Sequence, residues 1–431
     1  TGKINGANIG KVTGYGVGVY LDGGVLDGSS SKLDYTASGA TGNGIIGLLM
    51  KGSSADISSY TNGIKVGDTD GNFYAVGLYT DNQGTSTTPK AITTAITTGA
   101  NGVGLIAENG SNLAYTGTMT IGDGKDAGTG IYVGNNGTSG TPNPSKVTVT
   151  GTTINLNGSN GVGAIVTTGS TVNIDGTTTI NFEGDGVGVY GQKGAHVTNS
   201  AVLNTKGHSV ERTRVTEGSS IIAANLTGAA AADSGNIISH VINGETVVNP
   251  GITVEAKSGT QNIIGLMADG IKNPSPTHTS WKGDVGYEAI NDGKIDLSNA
   301  TTSTAMYLDS SRGINKDEIA VGNKSTGIYG VYNDTTSIYS DAVAGTKNEG
   351  KIMTTAGSKI TIGDESSAIY AIDFDKVENN GSITGGDKSV GIYAKNTTGL
   401  STAKNIDVAN TGNITLGKGS AGIYIAPETT N

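Results

Sequence analysis

The sequence predicts an all-β protein, a right-handed parallel β-helix (a solenoid) carrying loop insertions. Three observations lead there. A short phrase returns about fourteen times; β-branched apolar residues alternate with polar ones between its copies; and Gly, Asn, Asp, Ser and Thr interrupt too often for helices to propagate.

The phrase is a small residue, an aliphatic one and very often tyrosine. It stands at Gly18-Val19-Tyr20, Gly77-Leu78-Tyr79, Gly130-Ile131-Tyr132 and Gly188-Val189-Tyr190. Toward the C-terminus it sharpens to Gly327-Ile328-Tyr329, Ala368-Ile369-Tyr370, Gly391-Ile392-Tyr393 and Gly422-Ile423-Tyr424, with serine two residues upstream (Ser325, Ser366, Ser389, Ser420). Weaker copies begin at Gly47, Gly104, Gly163, Ile221, Gly265 and Ala305. Thirteen intervals average about 31 residues, the range of stacked repeats, and the barest, such as Ala305 to Gly327, are 22.

Each bare interval holds a second apolar pair with period two, as in Ile360-Thr361-Ile362 and Ile414-Thr415-Leu416, which predicts further short strands. Clusters such as Asn379-Asn380-Gly381 and Gly385-Gly386-Asp387 suit the turns between them, supplying left-handed residues and side-chain acceptors for amides. The one stretch with helical leanings, Pro89 to Thr98, is short and rich in threonine. Propeller blades need four strands in longer repeats, and a sandwich would not return one phrase so often.

Within the phrase, the slot after the small residue is aliphatic in every copy, which assigns it to the interior column; each such side chain contributes about 1.5–3 kcal/mol when buried. The small residue and the tyrosine, in the alternate phase, are expected on the opposite face of the strand or at a corner. Nine of the fourteen tyrosine slots hold Tyr, which reads as a stacked ladder over the glycine column, or else as an exposed strip for sugar rings or a partner protein. Accessibility of Tyr329, Tyr370, Tyr393 and Tyr424 separates the two.

Composition narrows the function. The formal charge is −10, with only three arginines (Arg212, Arg214, Arg312), so the basic stripe that nucleic-acid binding requires is missing. Seventy-one glycines, no cysteine and about 5% aromatics exclude a disulfide scaffold and thiolate metal sites, and give few large side chains for a conventional core. The chain opens at Thr1-Gly2 inside the pattern, which predicts a single continuous β-helix segment, 1–431, excised from a longer array.

Motifs that could carry chemistry are incomplete. Gly417-Lys418-Gly419-Ser420-Ala421-Gly422 fits G-x-G-x-x-G, but its third glycine opens a repeated strand where the fingerprint needs a helix. Asp68-Thr69-Asp70-Gly71-Asn72 lacks the closing glutamate of a calcium loop, and Asp123-Gly124-Lys125-Asp126 puts a lysine in the cage. The histidines (His196, His208, His240, His278) are scattered, and no nucleophile elbow occurs. No catalytic residue, metal site or cofactor is expected.

Where the pattern breaks, insertions are expected to project, at about 81–101, 134–146, 204–250 and 271–287. The last contains the sole tryptophan, Trp281, stiffened by Pro274 and Pro276 and flanked by His278 and Lys282; the third contains Arg212 and Arg214. These five residues, Trp281, Lys282, His278, Arg212 and Arg214, are the candidate ligand contacts, against the alternative that such side chains fold back over the scaffold.

The Ser-x-Gly-Ile-Tyr phrases with their Asn380-Gly381-Ser382-Ile383 and Thr411-Gly412-Asn413-Ile414 follow-ups resemble the passenger repeats of large fusobacterial autotransporter adhesins, the RadD type among them. The resemblance covers most of the chain, strongest from about Thr326 onward and weakest over 204–250. It implies a type V secreted passenger displayed outside the outer membrane, reaching the membrane only through a C-terminal β-barrel that this chain lacks. Its partners would be host-cell receptors or glycans, or surface proteins of other bacteria. No catalytic or contact residue carries over. The sequence thus supports a non-enzymatic surface adhesin segment. The alternatives are a structural stalk whose binding tip lies elsewhere and a β-helical polysaccharide-active enzyme. It sets neither ligand nor oligomeric state.

Overall fold

Alternating β-branched residues bounded by turn formers fold as the period requires, into short strands that bury every second side chain. The computed structural model describes residues 2–6, 8–10, 16–28, 31–35, 44–68, 75–85, 87–135, 143–192, 194–206, 208, 210–216, 220–224, 238–242, 245–248, 253–256, 259, 261–262, 264–269, 288–309, 311–331, 350–397 and 406–429. Among the described residues there is no helix, and the long sheets are parallel throughout. The chain divides into two compact units, Thr1–Thr213 and Arg214–Asn431.

In the first unit the phrase strands Gly16–Asp22, Ile45–Lys51, Val76–Asp81, Val103–Glu108, Thr129–Val133, Gly161–Val166 and Gly186–Gly191 form a principal ladder in that order. A second ladder joins Lys90–Ile92, Asn112–Tyr115, Lys146–Val149, Thr171–Ile174 and His196–Asn199. A third runs from Asn8–Ile9 through Ile96–Thr98 and Thr153–Leu156 to Val202–Asn204. From Val76–Asp81 onward the chain visits principal, second and third ladders in turn and then begins again one strand further along each.

The second unit repeats the plan. Its principal ladder is Ile238–Ile242, Ile264–Asp269, Thr304–Asp309, Thr326–Val331, Ser367–Ile372, Val390–Thr397 and Ala421–Thr429. Glu288–Asn291, Arg312–Asn315, Lys351–Thr354, Lys376–Asn379 and Asp407–Asn410 stack beside it, as do Lys294–Leu297, Glu318–Val321, Lys359–Ile362, Ser382–Gly385 and Ile414–Leu416.

Register puts like over like. The aliphatic slots align as Val19, Leu48, Leu78, Leu105, Ile131, Ala164 and Val189 in one unit, and as Leu266, Met306, Ile328, Ile369, Ile392 and Ile423 in the other. All are buried except Ile423, on the last strand of its ladder. Inside the second unit a polar column runs among the apolar ones: Asn291, Asn315, Thr354 and Asn379 are buried and in register. Asn291 Nδ2 donates to Asn315 Oδ1 at 2.8 Å, Thr354 Oγ1 to Asn379 Oδ1 at 2.6 Å, and Asn379 Nδ2 to Asn410 Oδ1 at 2.7 Å. Each amide thereby finds the partner that burial demands.

Two expectations change. The segment 81–101 contains Lys90–Ile92 and Ile96–Thr98, ordinary members of the second and third ladders. Ile92, Ile96 and Thr98 are buried and Thr97 alternates outward between the last two, so these residues run as strands and form no helix. The copy assigned to Ile221 is also displaced: Ser220–Ala224 is a strand outside the principal ladder. In the first unit the carbonyl oxygen that follows those of Gly163 and Gly188 in the small-residue series is that of Arg212. Arg212-Thr213-Arg214 is therefore the phrase at that point, in residues that hide it.

Candidate functional site

The outward side of the principal ladder is where the phrase becomes a surface, and four slots build it. Serine enters first. The Oγ of Ser325 accepts the N–H of Ser303 at 3.0 Å, that of Ser366 the N–H of Ser325 at 3.0 Å, and that of Ser420 the N–H of Ser389 at 2.9 Å. Each of Ser303, Ser325, Ser366 and Ser389 also points its hydroxyl at the carbonyl two residues back. The column satisfies the corner amides just before the strand starts.

The small residue follows because the neighbouring strand leaves a glycine there little room for a Cβ. A Cβ on Gly163 would lie 2.4 Å from the carbonyl oxygen of Gly188, and one on Gly391 would lie 2.4 Å from that of Gly422 and 2.9 Å from a methyl of Ile414. These contacts point inward. The small column therefore faces the interior beside the aliphatic one, at a local break in the alternation, and only the tyrosine slot turns out to solvent.

In the second unit Tyr307, Tyr329, Tyr370, Tyr393 and Tyr424 are successive register partners. Their rings stack at centroid distances of 5.1, 5.3, 4.3 and 5.4 Å, with planes 23°, 14°, 8° and 20° from parallel. All are half-buried except Tyr424, which is 48% exposed. Burial, then the neighbouring phenol of Tyr393, raises the pKa of Tyr370. The rings thus form a stacked ladder whose edge remains accessible, and they pack on one another and not over the glycines.

In the first unit the same column alternates, as Tyr20, Leu49, Tyr79, Ile106, Tyr132, Ile165 and Tyr190. Aliphatic spacers separate its rings. Tyr79 instead donates its hydroxyl to Glu108, and burial with that carboxylate beside it pushes the phenol up.

The candidate contacts inferred from sequence are not brought together. His278, Trp281 and Lys282 lie outside the described residues, as does all of 271–287. Arg212 is fully buried, with Nη1 donating to the Ala201 carbonyl at 2.8 Å and its own carbonyl accepting from Asn199 Nδ2 at 2.7 Å. Burial pushes its pKa down to about 10. It occupies the inward slot that glycine holds elsewhere, so the expected surface role does not fit its position. Arg214, two residues on, is half-buried.

The motif loops are occupied by the chain itself. In the G-x-G-x-x-G match, the N–H of Lys418 donates to Asp387 Oδ1 at 2.7 Å and that of Ala421 to the Ser389 carbonyl at 2.9 Å. Gly422 lies in a strand, so the motif opens no helix whose N-terminus could hold a phosphate. Asp68 Oδ1 accepts the N–H of Ala100 at 2.8 Å. Asp123 Oδ1 accepts those of Lys125 and Asp126, which hold its carboxyl below the usual range. Among the described residues no three His, Asp or Glu side chains converge as a metal site would require. No family model and no curated protein matches the chain.

Proposed function

We propose that the chain is a non-enzymatic segment of a bacterial surface adhesin, each unit a right-handed parallel β-helix that presents loops to host-cell or bacterial partners. One observation carries the reading. In the second unit the connections from second to third ladder and from third to principal ladder are uniformly short, whereas those leaving the principal strands vary widely: Asp309 to Arg312 and Ile372 to Lys376, but Asp269 to Glu288, Val331 to Lys351 and Thr397 to Asp407. Length variation confined to one corner is what a scaffold shows where it displays binding segments.

Register strengthens the point. Asp269, Asp309, Val331, Ile372 and Lys395 form one column at that corner, beside the tyrosines, and pairing continues through it. Large insertions therefore leave from stacked positions without disturbing the ladder. A rigid array with several such segments binds through many weak contacts, which effective concentration adds together. On the resemblance stated above, the location is the cell surface and the route type V secretion.

Beads coated with the chain test the reading. Adhesion to host cells or to other bacteria is expected, and deletion of 271–287 is expected to weaken it severalfold while thermal unfolding stays unchanged. Equal adhesion with that segment and 332–349 both removed would leave the stalk reading in its place.

A further inference from the structure

The tyrosine column itself specifies a partner. Because Tyr329, Tyr370 and Tyr393 each stack on both sides, their ring faces are taken, and what they offer outward is a row of edges and hydroxyls. Beside it, in the alternate outward position of the same strands, stand Thr304, Thr326 and Ser367, in register and half-exposed. Neither row contains a charged residue.

We propose that this face binds an extended, uncharged, β-linked polysaccharide laid along the stack, one sugar to each repeat. The inference rests on the adhesive reading and names its ligand class. Spacing decides against a peptide. An extended chain presents same-face side chains about every 6.7 Å, whereas the tyrosines recur at 4.3–5.4 Å. A peptide would fall out of step within a few residues. An extended β-1,4-linked glycan advances by a six-membered ring and a bridging oxygen, a step of the tyrosine's own size, and presents hydroxyls at each one. Stacking holds the tyrosines in place beforehand, so little side-chain freedom remains to be lost on binding. Both rows are uncharged, which matches a neutral polymer, and the column on the tyrosines' other side carries charge of mixed sign only at Asp269, Asp309 and Lys395.

The test uses the full chain and cello-oligosaccharides from dimer to hexamer, with isothermal titration as the readout and α-1,6-linked dextran as the control. Affinity is expected to rise with each sugar and to be absent for dextran. The double variant Y329F/Y370F keeps the stack and removes two hydroxyls, so it should bind the hexamer at least about tenfold more weakly with an unchanged melting temperature. No saturable binding of the hexamer, equal binding of dextran, or undiminished binding by the double variant overturns the proposal. Bead adhesion to cells is scored in parallel: adhesion retained by Y329F/Y370F without oligosaccharide binding sinks this inference and leaves the adhesin reading standing.

Discussion

Tyr370 and Tyr393 are register partners whose rings lie 4.3 Å apart at 8° from parallel, the tightest stack in the described column. Offset aromatic pairs contribute about 0.5–1.5 kcal/mol beyond the area they bury. Leucine is the natural substitute, since Leu49 fills the equivalent slot in the first unit. In a double-mutant cycle, Tyr370→Leu and Tyr393→Leu are expected to show a coupling of about 1 kcal/mol in urea unfolding. Strict additivity of the single variants would mean that the stack adds nothing to stability.

Ser366 anchors the corner ladder. Its hydroxyl accepts the N–H of Ser325 at 3.0 Å and lies 2.9 Å from the Asp364 carbonyl and 3.1 Å from that of Gly322, in a position only 3% exposed. Ser366→Ala leaves a buried N–H unanswered. A loss of about 1–3 kcal/mol is expected, read from the urea midpoint at unchanged m-value. A loss within experimental scatter would show that water replaces the hydroxyl at no cost.

Much of this fold was legible in the sequence, and the misses share a physical cause. Period-two apolar pairs and the recurring phrase revealed every principal strand whose small, aliphatic and tyrosine slots hold ordinary occupants. They failed at Arg212-Thr213-Arg214, where the inward glycine slot holds an arginine whose long chain goes inside and whose head meets carbonyls. Residue type signalled exposure there; only the register showed burial. The segment 81–101 misled in the opposite way, because its threonines hid two strands whose inward residues are Ile92, Ile96 and one of those threonines, Thr98. Asn379 reads as a turn former, yet it sits at the end of a strand, as Asn291 and Asn315 do, with its amide bonded along the stack. A polar ladder of that kind leaves a faint trace, Asn at one phase of successive repeats. Of the candidate contacts, Trp281, His278 and Lys282 fall outside the described residues, whereas the tyrosine column was visible from its phrase.

Left-handed backbone at Glu365 offers a stabilising change. Lys324, Glu365 and Lys388 occupy the same turn in successive repeats at φ of 55°, 54° and 56°, while the next copy uses Gly419 at 70°. A side chain there costs roughly 1–2 kcal/mol that glycine avoids, against less than about 1 kcal/mol of added chain entropy in the unfolded state. The Lys388–Glu365 pair, at 3.9 Å and exposed, contributes little. Glu365→Gly is therefore expected to raise stability by about 0.5–1 kcal/mol, seen as a higher urea midpoint. Destabilisation would show that the side chain does more than tolerate the turn.

Acid should weaken the second unit through Glu378. Its carboxylate takes hydrogen bonds from Lys351 at 2.5 Å and Lys376 at 2.6 Å, and these hold its pKa below the usual glutamate range. The unfolded chain thus binds a proton at higher pH than the folded one does. The stabilisation is complete above the ordinary glutamate pKa and is lost as pH falls through the depressed folded value. Partial exposure and ionic screening keep the contribution to about 1 kcal/mol or less. Glu378→Gln removes the charge while keeping the shape, so the gap in urea midpoint between wild type and variant should close as pH is lowered through that window, and should shrink at neutral pH in 1 M salt. A gap that is constant across the acid range would assign the effect to packing of the side chain instead of its charge.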